Sequence, residues 1–393
     1  MNAVAHFSTQ TLTGGRRRAL FLINGEHYAG AERVQDLLAR QLPAHGWDVD
    51  FACLKPGAFA ASRESRDSRV IDLPMRSRLD VSQVRELARL LRGGYDVLHT
   101  HTVRSAMIGS VAAWRAGTPM VHHVHGRTDR NTESPLRDRV NSTVERMSLR
   151  HAQRLIAVSE HTADHLRRLG HASSRIRTVP NGVPCMEAVA DWQPPGRPWV
   201  IGMAALFRPL KGLDVLIEAL AALHAMGLPV QLRAIGGFES EAYRRQILDA
   251  VSDRGLAGHV HWTGFTREVT AELAKVDVLV LPSLYGEGLP MVVIEAMAAG
   301  LPVVASASEG IHEALDEGRA GVLVAPGDAQ ALTQALADLI ADPQRAQQLA
   351  RAGLRRQREH YSDVAMARQV ALVYREVAAD VAGAPAVARE GRA

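Results

Sequence analysis

Cysteine is scarce: Cys53 and Cys185 are the only two in 393 residues. That leaves no disulfide framework and no cysteine-rich metal cluster, and it fits a reducing compartment. No stretch of 18 apolar residues occurs, so no membrane-spanning helix is expected. Aromatic residues make up 5% and no nucleic-acid motif is present, which argues against DNA or RNA as a partner. The phosphate loop ending in Gly-Lys-Ser/Thr is missing, and no G-x-G-x-x-G follows the first predicted strand. A P-loop ATPase is therefore not indicated, and a dinucleotide-dependent dehydrogenase lacks its main signature. Arg16, Arg17 and Arg18 ahead of the apolar residues 19–23 imitate the start of a signal peptide, but the run stops at Asn24 and Gly25 with no small-residue cleavage site. A first β-strand is the reading that remains.

What is present is the composition of a globular enzyme, with 47% apolar and 22% charged residues. The length is too great for one ordinary core and points to two domains or three. Charge is uneven: residues 1–190 carry 27 Lys+Arg against 18 Asp+Glu, and the remainder carries 19 against 24. A basic first half suits an anionic lipid surface or an anionic acceptor.

Strand-like and helix-like runs alternate twice. Strands are read at 19–23, 49–53, 70–73, 97–99, 154–159 and 176–180, with helices at 31–42 and 81–91 and a further strand through His122, His123 and His125. The pattern restarts at 199–204 and continues with strands at 230–235, 260–263, 276–281 and 303–305. Between these lie helices at 213–226, 240–253, 266–275 and 291–299. Two such series predict an α/β protein with two doubly wound, Rossmann-like sheets facing across a cleft. The boundaries expected are 1–183, 184–365 and 366–393, the last a C-terminal helix packing back on the first domain before a loose tail; the linker is read at 181–198.

Residues 283–306, SLYGEGLPMVVIEAMAAGLPVVAS, have the clearest grammar. A buried strand closes at Pro282, a glycine-containing loop follows, Pro290 stands at a plausible first helical position, and Gly300 and Pro302 end the helix. Such a loop lies at the carboxyl ends of the strands, where open α/β sheets bind ligands. Glu295 falls roughly 7 Å along the helix from Pro290, whereas Glu287 sits in the loop ahead of it. Carboxylates offset in depth suit a ligand with two separated sets of hydroxyls, and the helix N-terminus between them, at Gly288, Leu289 and Pro290, suits a phosphate.

Arg208 and Lys211, in the loop after the 199–204 strand, are placed to neutralise a diphosphate. Gly236 and Gly237 follow the next strand, and Gly30 in the first domain lets backbone approach a ligand at a helix start. His99, His101, His122, His123 and His125 invite a metal reading, but no carboxylate or cysteine shares their spacing. Alternation sends His122 to one face and His123 and His125 to the other, so no metal site is expected and His125 is read as meeting a substrate. Residues 132–151 read as a basic amphipathic helix, a candidate membrane-facing element.

The run Glu287-Gly-Leu-Pro-Met-Val-Val-Ile-Glu295, with Ala296 to Ala305 after it, resembles the paired-glutamate signature of glycosyltransferase family 4, retaining nucleotide-sugar transferases of the GT-B fold. Ala29-Gly30-Ala31-Glu32, His125-Gly126, 157–160, 180–183, Lys211-Gly212, Thr263-Gly264-Phe265 and 321–328 match in the family's order, from about residue 19 to 380. The resemblance implies that Glu295 holds ribose hydroxyls and Glu287 those of the donor sugar. Lys211 would pair with the diphosphate, and Arg208 stands in for a family arginine whose usual place is held by Leu206. His125 would lie near the donor sugar, Gly30 and Ala29 on the acceptor side, and Thr263, Gly264 and Phe265 beside the base. It implies no cofactor and no metal, a nucleotide-diphosphate sugar as donor, and a lipid-linked or polysaccharide acceptor. The expected location is cytoplasmic, peripheral on the inner membrane face. Three other readings stay open: a glycosidase, a nucleotide-sugar epimerase, and a nucleotide-sugar-binding subunit without turnover.

Overall fold

Every described strand has parallel partners, so the sheets need cover on both faces, and the apolar runs in the sequence are long enough to supply it. The computed structural model describes residues 15–383 apart from 29, 78, 79, 81, 127–145, 187, 188, 190 and 197. The first sheet contains β1 (Arg17–Ile23), β2 (Trp47–Cys53), β3 (Val70–Asp72), β4 (Val97–Thr100), β5 (Met120–Val124), β6 (Arg154–Ala157) and β7 (Ile176–Thr178). The second contains β8 (Trp199–Ala204), β9 (Val230–Ile235), β10 (Val260–Gly264), β11 (Val278–Leu281), β12 (Val303–Ser306) and β13 (Val322–Val324).

Their spatial orders are β3-β2-β1-β4-β5-β6-β7 and β10-β9-β8-β11-β12-β13. Each sheet reverses direction once, between β1 and β4 and between β8 and β11, and the loops on either side of such a reversal splay apart into a crevice. The loops after β8 and β11, and the one after β1 that leads into the Gly30–Gln41 helix, all open there. This is the two-domain α/β architecture expected.

The first sheet has a separate core on each face. Val84, Leu87 and Leu91 of the Gln83–Arg92 helix and Ala106, Ile108 and Ala112 of the Val103–Ala116 helix cover one face. The other is closed by the Gly30 helix together with Met366, Val370 and Tyr374 of the Asp363–Gly383 helix, at the far end of the chain. Tyr374 packs edge-on against Trp47 with ring centroids 4.9 Å apart, and its hydroxyl lies 2.5 Å from His99 Nδ1.

Several local readings need correction. The Val103–Ala116 helix was not anticipated, because small residues blur its apolar stripe; its Thr102/Ser105 capping box and Gly117 C-cap (φ 70°) were the available signals. The helix expected over 266–275 shortens to Val269–Leu273, and the strand expected from 276 begins at Val278. Pro290 is the residue before the helix rather than its first member: with ψ at 124° it is still extended, and Met291–Ala298 forms the helix. Of the basic helix read over 132–151, residues 132–145 lie outside the described residues, 146–148 are helical, and the end tightens to a single 3-10 turn at Leu149–His151.

Candidate functional site

After β8 the chain makes one 3-10 turn, Pro209–Lys211, and leaves it through Gly212 at φ 68°. A side chain on Gly212 would lie 2.1 Å from the Pro282 carbonyl oxygen, so glycine is what allows this loop to rest on the loop after β11. The Leu284 N–H donates to the Leu210 carbonyl at 2.9 Å and fixes that contact. Lys211 Nζ then stands 2.5 Å from Glu287 Oε1, and Ser283 Oγ donates to the same oxygen at 2.6 Å. Glu287 is 5% exposed. A carboxylate this deep is tolerated because an ammonium and a hydroxyl both satisfy it.

The Met291 helix starts with no side-chain cap: the Val293 N–H turns back to the Pro290 carbonyl at 3.2 Å, and the Met291 and Val292 amides have no acceptor within the helix. Glu295, 6% exposed, lies one turn in, with Val293, Ile294, Ala296 and Met297 buried around it. Arg33, in the first turn of the Gly30 helix, reaches across from the other domain to 2.5 Å from Glu295 Oε1. The contact misses hydrogen-bond alignment, so it is chiefly Coulombic, and the guanidinium occupies that face of the carboxylate.

The two domains meet at backbone level around the same helix start. A side chain on Gly288 would lie 2.2 Å from the His125 carbonyl oxygen, and one on Gly310 would lie 1.8 Å from the Gly288 carbonyl oxygen. Asn181 Nδ2 donates to the Leu289 carbonyl at 3.2 Å. Glu313 accepts from the Glu160 and His161 amides at 2.9 Å, capping a first-domain helix with a second-domain carboxylate. Gly30 stands opposite Met291, whose Cγ would be 3.8 Å from a side chain placed there.

Lys211, Glu287, Gly288, Leu289, Pro290, Glu295, His125 and Gly30 are thus gathered around one crevice, while Ala29 lies outside the described residues. Arg208 is not drawn to either carboxylate: its guanidinium faces Glu239 at 3.5 Å. Gly236, Gly237, Thr263, Gly264 and Phe265 form a neighbouring wall at the ends of β9 and β10. There the Gly236 N–H donates to the Gly264 carbonyl at 3.0 Å and the Phe207 N–H to the Gly237 carbonyl at 2.8 Å. Phe265 is 74% exposed, an open aromatic face.

The sequence reading missed Ser283, Arg33 and Glu313. Ser283 stands inside the quoted stretch but gave no signal beyond closing a strand. Arg33 and Glu313 are single charges on helices, which from sequence alone look like solvated positions.

Four imidazoles form a column on one face of the first sheet, with His99, His101 and His123 buried and His125 partly exposed at its end. His99 and His101 stack at 4.2 Å, His123 and His125 at 4.5 Å, and His99 and His123 at 5.5 Å with their planes within 3°. His122 points the other way, to Thr100 Oγ1 at 2.8 Å, as alternation requires. His101 Nδ1 lies 3.2 Å from His125 Nε2, so His125 keeps only Nδ1 for a ligand. Nitrogens of His99, His101 and His123 lie within 4.8 Å of one another. Among the described residues these three form the group whose geometry could hold a metal ion, and no carboxylate or cysteine belongs to it.

Residues 28–186 match the family described as Glycosyltransferase Family 4, and residues 187–356 match Glycosyl transferases group 1. The chain is 31% identical over 299 residues to the phosphatidyl-myo-inositol mannosyltransferase of Mycobacterium leprae, covering 74% of this chain and 75% of that one. It is 32% identical over 192 residues to a putative colanic acid biosynthesis glycosyltransferase, WcaL, of Salmonella typhimurium, covering 47% of each. Among solved structures, Anabaena HepE in complex with UDP superposes with a TM-score of 0.79 at 23% identity, over 91% of this chain and 100% of that one. Sucrose-phosphate synthase from Thermosynechococcus elongatus gives 0.75 at 25% identity, over 93% and 100%.

The histidine column makes stability depend on pH. Burial pushes His122 down to about 3 and His125 to about 4, and it holds His99, His101 and His123 well below the ordinary value, with repulsion from neighbouring imidazoles adding to it. In the unfolded chain each takes up a proton near pH 6.5, so the unfolded state binds more protons below that pH. The stabilisation is complete above about 6.5 and is lost as pH falls, down to about 4 for His125 and about 3 for His122. At an upper limit of ~1.4 kcal/mol per histidine per pH unit, with uptake confined to the one unit between about 6.5 and 5.5, five sum to about 7 kcal/mol between pH 7.5 and 5.5. Thermal unfolding at the two pH values should show a Tm lower by roughly 10 °C at pH 5.5; an unchanged Tm would mean that the rings protonate freely in the fold.

Proposed function

The chain belongs to glycosyltransferase family 4, and on that premise we propose that it moves a sugar, with retention of configuration, from a nucleotide-diphosphate sugar to a hydroxyl. The acceptor is an exopolysaccharide, lipopolysaccharide or glycolipid intermediate. The observation that carries the reading is the placing of two buried carboxylates around an uncapped helix start: Glu287 with Lys211 and Ser283 on one side, Glu295 facing Arg33 on the other. Glu295 takes the ribose hydroxyls, Glu287 those of the donor sugar, and the amides from Gly288 onward face the phosphates. Phe265 offers its open ring to the base.

In the reaction the acceptor hydroxyl approaches the donor from the side the diphosphate leaves, and the leaving oxygen takes the acceptor's proton. The new negative charge on the diphosphate is held by Lys211 and the helix N-terminus, with Arg208 released from Glu239 as a further cation. No protein base and no metal is required. His125, neutral because of its burial, orients the donor sugar through Nδ1. A glycosidase would need its carboxylates to face each other across one bond, whereas here each is engaged by a different cation on a different element. An epimerase or a non-catalytic subunit would give no glycosylated product with any acceptor.

The membrane side of the reading has its own support. Val111 and Trp114 are exposed on the Val103–Ala116 helix, along the stripe that carries Arg104 and Arg115, and Arg92 of the adjacent helix donates to the Arg115 carbonyl at 3.3 Å. Aromatic and basic side chains on one face suit an anionic lipid surface. Among the described residues no helix is long and apolar enough to cross a membrane, so the association proposed is peripheral.

Chromatography of the products is the test of the chemistry. Purified wild-type protein with its preferred donor and acceptor should form product, and Glu287→Ala and Lys211→Ala should each lower the rate about 100-fold or more. Wild-type rates in both variants would remove these residues from the site. Flotation with vesicles rich in anionic phospholipid at low salt should carry the protein upward, and less so at high salt; failure to float at low salt would rule out the membrane assignment.

A further inference from the structure

Arg33 is the only described cation found against Glu295, and its position is awkward for a ligand. The guanidinium is about a quarter exposed (28%) and touches the carboxylate that a ribose has to use. The next acid on its own helix face, Asp36, is already engaged by the Tyr28 hydroxyl at 2.7 Å and by the Glu64 and Ser65 amides at 2.7 and 2.9 Å. If Glu295 turns to another partner, Arg33 has no second carboxylate three residues on to receive it. It is left facing the crevice at the place where Gly30 and Met291, the starts of two helices from opposite domains, come within van der Waals reach.

From this geometry we propose that Arg33 is a specificity-determining residue, one that makes recognition of the nucleoside and of the diphosphate depend on each other. The inference rests on the donor reading given above. A ribose that hydrogen-bonds Glu295 replaces the guanidinium, which costs the chain a half-buried ion pair. A phosphate entering at the same helix start gives the freed guanidinium a new anion, with fork geometry suited to it. A neutral nucleoside completes the first exchange and leaves Arg33 unpaired. Inorganic diphosphate offers an anion to Arg33 and leaves Glu295 buried without a partner. Only a molecule holding both groups satisfies both ends, so the site discriminates against the two halves of its own donor more strongly than their contacts alone would require.

The experiment compares a nucleoside with its diphosphate on the full chain by titration calorimetry. A panel of uridine, adenosine and guanosine diphosphates identifies the base first. Wild-type protein should bind the chosen diphosphate far more tightly than the matching nucleoside. In Arg33→Gln the nucleoside should bind more tightly and the diphosphate more weakly, so that the ratio of the two dissociation constants shrinks on the order of tenfold or more. Arg33→Lys, which keeps the charge and loses the fork, should recover part of the ratio. A variant that merely folds poorly would weaken both ligands together and leave the ratio at its wild-type value. That result, or tightening of the diphosphate, overturns the inference. If wild-type protein binds none of the diphosphates, the donor reading itself falls, and this inference falls with it.

Discussion

The buried contact between Lys211 and Glu287 is the interaction on which the site depends. Neither charge is tolerable alone at that depth: removing one partner of such a pair costs about 3 to 5 kcal/mol, because the survivor is left unpaired. The pair also has a geometrical role. Lys211 belongs to the loop after β8 and Glu287 to the loop after β11, so the ion pair bridges the two strands between which the second sheet reverses. Gly212 and the Leu284 to Leu210 hydrogen bond bring the loops close enough for it to form, and Ser283 fills the remaining demand of the carboxylate. A ligand that enters the crevice meets a carboxylate held in position, with its charge already balanced.

The first domain contributes through backbone and cations. His125 and Gly288 touch main chain to main chain, Glu313 caps the helix that begins at Glu160, and Arg33 spans to Glu295. These contacts come from three separate segments of the first domain; those of His125 and Arg33 meet the loop and first turns of the Met291 helix, and that of Glu160 and His161 meets the short helix Ile311–Ala314. The histidine column behind His125 is continuous with the packing of the C-terminal helix through Tyr374, so the last helix of the chain supports a residue at the crevice. Charge is supplied where a diphosphate would be, and apolar packing holds the rest.

Much of this was legible in the sequence. The alternation of buried strands and helices gave two doubly wound sheets, since a parallel strand needs an apolar run and a crossover, and both leave a plain pattern. The local order of strand, glycine loop, proline and helix placed Glu287 and Glu295 correctly relative to one another. The Val103–Ala116 helix escaped because Ala, Gly and Ser fill its buried face and carry little hydrophobic contrast. Arg33 and Glu313 escaped for a different reason: their partners lie 262 and about 150 residues away, and only the closing of the fold brings them into contact. Arg208 lies in the same loop as Lys211, as read, but its guanidinium faces Glu239 across 3.5 Å, a contact between residues 31 positions apart that the local pattern does not show.

The central claim is that the helix start between Glu287 and Glu295 is the grip on the donor. Hydrogen–deuterium exchange of the full chain, with and without its nucleotide-diphosphate sugar, tests it most directly, because the uncapped amides there are the groups said to meet the phosphates. Donor should slow exchange across 286–295 and in the turn at 209–213, with little change around β13. Protection absent from 286–295, with donor demonstrably bound, would contradict the account.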